Sequence, residues 1–228
     1  MLQRYHQTRV AKVYDQFDGR MRDPVSLIML YLVIQHFKFR NVLEMGFYQG
    51  LSLAAMIEAA PVSTKFTTID IEFRCEIFNQ HFADWIDRVT WLNMSTHDFR
   101  PNQTYDFILV DGSDQRNLEL EIAHSCVDIH GVIMFDDYHK WQPELVHFLQ
   151  QHPDWTPFLA DSKALYLHHV SHQADEFLDC VVEQRFQDFC HTGNCDYHGH
   201  WVKTVTPRPI DIVYMSDIFP LFAKQRNI

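Results

Sequence analysis

Residues 41–52 read N-V-L-E-M-G-F-Y-Q-G-L-S, and no other stretch constrains the fold as strongly. An apolar pair, Val42-Leu43, leads to the carboxylate of Glu44. Gly46 and Gly50 follow, and residues 51–60 then have helical character. The order is strand, tight glycine turn, helix start. Glycine suits such a turn because it takes backbone angles that other residues resist and lets a ligand approach the main chain. The helix start beyond it offers N–H groups that have no partner within the helix. The spacing is Glu-x-Gly-x-x-x-Gly, and Met45 sits where a dinucleotide-binding loop would want its first glycine. That departure, with the absence of a Ser/Tyr-x-x-x-Lys pair, argues against a nicotinamide-dependent oxidoreductase.

Composition narrows the classes further. The chain has 228 residues, enough for one domain with a full core and an appendage. Hydrophobic residues make up 46% and charged residues 21%, a globular rather than disordered balance. The formal net charge of −11 argues against nucleic-acid and anionic-membrane partners, because both need a basic face. No apolar run approaches the ~20 residues of a membrane span. Five cysteines, an odd number without framework spacing, fit a reducing cytoplasm.

Taken in order, the chain alternates helices and strands. Residues 1–19 look helical, with Tyr5, Val10, Val13, Tyr14 and Phe17 as the less polar positions; packing is the favoured reading over a lid. Residues 25–37 are apolar nearly all round, as expected of a helix buried against a sheet. Strands are expected at 41–45, 66–71, 89–93, 105–110 and 131–135, with helices at 75–87, 118–127 and 144–151 between or after them. Residues 155–159 and 164–168 read as a closing hairpin. The pattern predicts a doubly wound, mostly parallel α/β sheet with an antiparallel last strand. Residues 1–170 would form this domain. Residues 171–228 would be an appendage containing a helix at 173–189 and a strand at 210–215, used for a homo-oligomer or for enclosing a substrate.

Three strand ends carry the chemistry. Residues 105–114, Y-D-F-I-L-V-D-G-S-D, end a strand at Asp111, and residues 131–139, G-V-I-M-F-D-D-Y-H, end another at Asp136-Asp137. Ligands of open parallel sheets bind beyond the carboxyl ends of the strands, near the switch in strand order. Asp111, Asp136 and Asp137 should therefore converge beside the glycine turn, and converging carboxylates call for a hard cation such as Mg²⁺.

With these motifs the chain resembles the class I S-adenosylmethionine-dependent methyltransferases over about residues 25–170. It is most similar to their metal-dependent small-molecule O-methyltransferases of the antibiotic-sugar and catechol types. The resemblance implies a Rossmann-like sheet and a cofactor held by Glu44, Gly46, Tyr48, Gly50 and Ser52. Asp70 and Ile71 would sit at the ribose, Ser95 beside the adenine, and Asp111 next to the sulfonium. Asp111, Asp136 and Asp137 would ligate the metal. A small hydroxylated substrate, sugar- or polyol-like rather than a catechol, would accept the methyl group.

The base departs from the resembled pattern. The antibiotic-sugar enzymes have an Asp two residues after the first ligand, where this chain has Ser113, and the catechol enzymes have a Lys three residues after it, where it has Asp114. Asp114 and His139 are the candidate bases, the second because its ordinary pKa suits the task. The departure keeps open a cofactor-binding module that does not catalyse. Cys190, His191, Cys195, His198 and His200 lie close in sequence, but their spacing fits no closed zinc ligand set well, and a polar loop is the preferred reading.

Overall fold

Five parallel strands form the core of a seven-stranded sheet, and the central ones, apolar and buried on both faces, show that helices cover both sides. The computed structural model describes residues 7–17, 24–112, 115–137, 140–160, 165–169, 194–195 and 201–202. The strands are β1 (Asn41–Met45), β2 (Lys65–Asp70), β3 (Val89–Asn93), β4 (Tyr105–Val110), β5 (Val127–Phe135), β6 (Trp155–Ala160) and β7 (Leu165–His169). Their order is β3-β2-β1-β4-β5-β7-β6. Strands β1 to β5 pair in parallel, and β7 runs antiparallel to both β5 and β6. The order turns back between β1 and β4, which puts the switch point at the end of the glycine-containing strand.

Alternate residues of each strand feed two cores. Val42, Phe66, Phe107, Leu109, Val132 and Met134 face one side, with α1 (Arg9–Val13), α2 (Pro24–Phe37), α3 (Leu51–Ala59) and α4 (Glu76–Phe82). Leu43, Ile69, Ile108, Val110, Ile133 and Phe135 face the other, with α5 (Arg116–Cys126) and α6 (Gln142–Gln151). The switch of core from one residue to the next is the period-2 geometry of a strand. α2 lacks a polar face and buries Leu27, Leu30, Val33 and Ile34 completely.

The described part of the N-terminal segment, residues 7–17, packs on the domain. Val10 and Phe17 are buried in the first core, and the Glu58 carboxylate accepts hydrogen bonds from the N–H groups of Arg9 and Val10 at 3.0–3.2 Å. That carboxylate takes up orphan donors of a helix start, a favourable place for negative charge.

Two elements differ from the sequence reading. The helix expected over 75–87 is α4 followed by a 3₁₀ turn, Ala83–Arg88. The turn stacks Trp85 on Phe82 with ring centroids 4.7 Å apart and brings Asp84 to Arg9 at 2.7 Å. Strand β5 starts at Val127, earlier than the expected Gly131. Its first four residues alternate apolar and polar and are half-buried or exposed, and the register with β4 shifts between Tyr105 and Phe107, so this part carries no continuous apolar run. The hairpin matches its expected bounds within a residue. Within residues 171–228, β8 (Asn194–Cys195) pairs antiparallel with β9 (Trp201–Val202); the expected elements at 173–189 and 210–215, and four of the five residues of the Cys/His cluster, lie outside the described residues.

Candidate functional site at the carboxyl ends of the strands

The ladder of the sheet continues one residue past the strands. Gly46 N–H donates to Ile69 O at 2.9 Å, Asp111 N–H to Met45 O at 2.9 Å, and Asp136 N–H to Val110 O at 3.1 Å. Asp70 is the last residue of β2. Gly46, Asp70, Asp111 and Asp136 therefore line one rim, spread over four adjacent strands and straddling the switch point.

The glycine loop on this rim is wound tightly. Gly46, Tyr48 and Gly50 have φ of 98°, 49° and 83°. Glycine adopts such angles freely, whereas a tyrosine there is strained by roughly 1–2 kcal/mol. A Cβ on Gly46 would stand 2.3 Å from the Asp111 carbonyl oxygen, so the loops after β1 and β4 meet main chain to main chain.

Asp70 holds the loop in this shape. Its carboxylate accepts three backbone N–H groups, from Phe47 at 2.8 Å, Tyr48 at 2.7 Å and Glu72 at 3.0 Å. Arg74 adds a backbone N–H to Tyr48 O at 3.0 Å and lays its guanidinium over the Tyr48 ring at 4.9 Å. The strained tyrosine is thus fixed from two sides, as strained residues at functional sites are. Asn93 steadies the same corner by donating from its side-chain amide to the carbonyls of Asp70 and Ile71 at 3.1 and 2.9 Å. Neither Arg74 nor Asn93 stands out in the sequence.

The other expected cofactor residues fall at different depths. Glu44 is fully buried and accepts a hydrogen bond from Thr68 Oγ1 at 2.7 Å, two residues below the rim. Ser52 is buried in the first turn of α3. Ile71, by contrast, is 74% exposed, an uncovered apolar side chain next to Asp70. Ser95 caps the 3₁₀ turn Thr96–Asp98, with its Oγ accepting from His97 N–H at 3.2 Å, which is the plain capping role of a serine after a strand.

Behind Asp111 lies a buried ionic chain that the sequence reading missed. Arg116 donates from Nη2 to Asp111 Oδ1 at 3.0 Å and from Nη1 to Glu119 Oε2 at 3.1 Å. Thr96 Oγ1 donates to the other Glu119 oxygen at 2.7 Å. The Arg116 side chain is 7% exposed and that of Glu119 0%. An Arg and a Glu three residues apart ordinarily read as an exposed helix pair.

Two of the three expected metal ligands, Asp111 and Asp137, carry cationic partners. Asp111 is bound to Arg116, and Asp137 Oδ2 accepts from Lys140 Nζ at 2.6 Å. Among the described residues no group of three His, Cys, Asp or Glu side chains is placed to hold a metal ion. A divalent ion would need open carboxylate oxygens from this set, and as arranged the donors do not fit it. Ser113, Asp114, Tyr138 and His139 lie outside the described residues.

The two cysteines with described side chains, Cys75 and Cys126, are held as thiols. Burial, then the Glu76 and Asp70 charges, push the Cys75 thiol above its ordinary pKa, and burial pushes Cys126 up to about 12. The thiolate is the nucleophilic form. Iodoacetamide at pH 8 should therefore leave Cys126 unlabelled in the folded chain and label it after denaturation; peptide mapping by mass spectrometry reads the difference, and prompt labelling of Cys126 in the native chain would contradict its burial.

Several solved methyltransferases share this fold. The fold is that of the class I S-adenosylmethionine-dependent O-methyltransferases. An O-methyltransferase from Bacillus cereus in complex with S-adenosylhomocysteine aligns with a TM-score of 0.59 at 16% identity, over 70% of this chain and 89% of that one. The O-methyltransferase TomG from Streptomyces achromogenes, involved in tomaymycin synthesis and solved with S-adenosylmethionine, aligns at 0.54 and 17%, over 70% and 85%. The Podospora anserina methyltransferase PaMTH1, bound to S-adenosylhomocysteine, aligns at 0.55 and 15%, over 71% and 86%. No protein-family model matches the chain, and no curated protein matches it in sequence. Among the described residues no helix is long and apolar enough to cross a membrane.

Proposed function

We propose that this chain is an S-adenosylmethionine-dependent O-methyltransferase acting on a small hydroxylated molecule, sugar- or polyol-like rather than catecholic. The observation that carries the reading is the rim at the switch point, where the Asp70-clamped glycine loop adjoins Asp111 and Asp136. Bound S-adenosylmethionine would supply an electrophilic methyl group on a positively charged sulfur.

The residues divide the remaining work. Asp70 has one oxygen, Oδ1, with a single backbone donor, which leaves acceptor capacity for a ribose hydroxyl. Ile71 offers an exposed apolar face beside it, suited to a purine ring. Asp111 brings negative charge to the rim where a sulfonium would lie. Attack by a hydroxyl releases a proton, and Asp114 and His139 are the proposed acceptors, since each lies three residues after a rim aspartate in the chain. Much of the rate enhancement would come from alignment of the two reactants. No step through a divalent metal is assigned, because the donors do not fit one. The net charge of −11 agrees with a small-molecule substrate rather than a nucleic acid.

Calorimetry with S-adenosylhomocysteine tests the reading on the full chain. Micromolar binding is expected, and no heat up to about 1 mM ligand would remove it. In Asp70→Asn an amide replaces the carboxylate that holds Phe47 and Tyr48, so affinity should fall about tenfold or more, in line with the loss of charge-assisted hydrogen bonds. Unchanged affinity would mean that Asp70 serves neither loop nor ligand. Binding without methyl transfer to any hydroxylated acceptor would instead favour the non-catalytic module.

A further inference from the structure

We propose that the counter-ion of Asp111 is Arg116, so that the rim is electrostatically complete at this position without a divalent cation. The function this serves rests on the methyltransferase reading; the charge assignment itself rests on the contacts.

Arg116 cannot easily yield its place. Its two terminal nitrogens reach different carboxylates, Asp111 at 3.0 Å and Glu119 at 3.1 Å, and its side chain is 7% exposed. Its Nε is buried with no protein partner. Displacing Asp111 toward a metal would leave a second donor of the same buried guanidinium unsatisfied, which is costly for a charged group. Glu119 is equally fixed, because both its oxygens are engaged, one by Arg116 and one by Thr96.

The loop carrying Asp111 has no slack either. A Cβ on Gly112 would lie 2.5 Å from Glu119 Oε1 and 3.0 Å from Thr96 Cγ2, so the network is packed against the main chain next to Asp111. At the neighbouring tip Lys140 pairs with Asp137 at 2.6 Å. With a 58% exposed lysine that pair is weak and salt-sensitive, so it is Arg116 that decides the matter. A planar guanidinium permanently charged at any working pH can hold a carboxylate in one orientation, as a metal would, without needing a dissociable ligand.

Manganese binding followed by electron paramagnetic resonance tests this on the full chain. The free Mn²⁺ signal should not fall at one site per chain with a Kd below about 1 mM, a range that carboxylate cation sites ordinarily reach. S-adenosylhomocysteine affinity should agree within about twofold between EDTA and Mg²⁺ buffers, a difference near the resolution of such measurements. One Mn²⁺ per chain bound more tightly than that limit, and lost in Asp136→Asn, would overturn the assignment. Binding that survives Asp136→Asn lies elsewhere and leaves it standing. In Arg116→Gln combined with Glu119→Gln, Asp111 loses its buried counter-ion, and Mn²⁺ affinity should rise about tenfold or more, the scale on which partners of metal ligands act. No rise in that variant, with its fold verified by circular dichroism, would also overturn the assignment; if it fails to fold, the wild-type titration decides alone. Absence of S-adenosylhomocysteine binding in both buffers would defeat the methyltransferase reading while the manganese result still decides the charge.

Discussion

Gly46→Ala should destabilise the chain by about 3 kcal/mol or more and abolish binding of S-adenosylhomocysteine. Two independent costs combine. The backbone angle of 98° is one that alanine resists, at roughly 1–3 kcal/mol for a residue in a sparsely populated region. The added methyl would also stand 2.3 Å from the Asp111 carbonyl oxygen and 2.8 Å from Gly112 Cα. Both are main-chain atoms and no rotamer can move them aside, so overpacking adds a further ~1–3 kcal/mol. Alanine stiffens the unfolded chain, but that gain is only about 0.4–1 kcal/mol and cannot offset the rest. Urea unfolding should show a lower midpoint with an unchanged slope. A midpoint equal to that of the wild type would mean that the loops after β1 and β4 do not meet as described.

Arg116→Met should cost about 3–5 kcal/mol, the usual result of removing one partner from a buried ion pair. Glu119 would remain fully buried, held only by Thr96. In a chain of this length each kilocalorie is worth about 2–4 °C in melting temperature, so a fall of roughly 6–20 °C is expected by calorimetry. Adding Glu119→Gln should recover most of the loss, because the stranded charge is then gone. Recovery would show that the cost is an uncompensated carboxylate rather than lost packing. A single variant that melts within about 2 °C of the wild type would contradict the buried chain.

The fold was legible because parallel strands buried on both faces leave unbroken apolar runs, as at Val42-Leu43 and Phe107–Val110. Their carboxyl ends were legible for a related reason: each run stops at a glycine or an acid. So the rim of Gly46, Asp70, Asp111 and Asp136 could be listed in advance, and the ladder places them side by side. The connections among them could not be foreseen. Asp70 reads as a ribose ligand, and nothing in its spacing says that the positive φ of Tyr48 also turns two N–H groups toward its other oxygen. Arg116 and Glu119 read as a solvated helix pair, since nothing in their spacing says that the helix start tucks under the loop after β4. The three aspartates suggest a metal by their placement, which says nothing of the Arg116 and Lys140 partners of two of them. The opening of β5 escaped notice because Asp128 and His130 break the apolar run while the backbone still pairs.

A crystal structure of the full chain grown with S-adenosylhomocysteine bears most directly on the rim as a nucleoside site. The account predicts ribose density within hydrogen-bond distance of Asp70 and the thioether sulfur above the gap between Gly46 and Asp111. Ligand bound on another face, with the loop at 46–50 and the Asp70 contacts undisturbed, would contradict it.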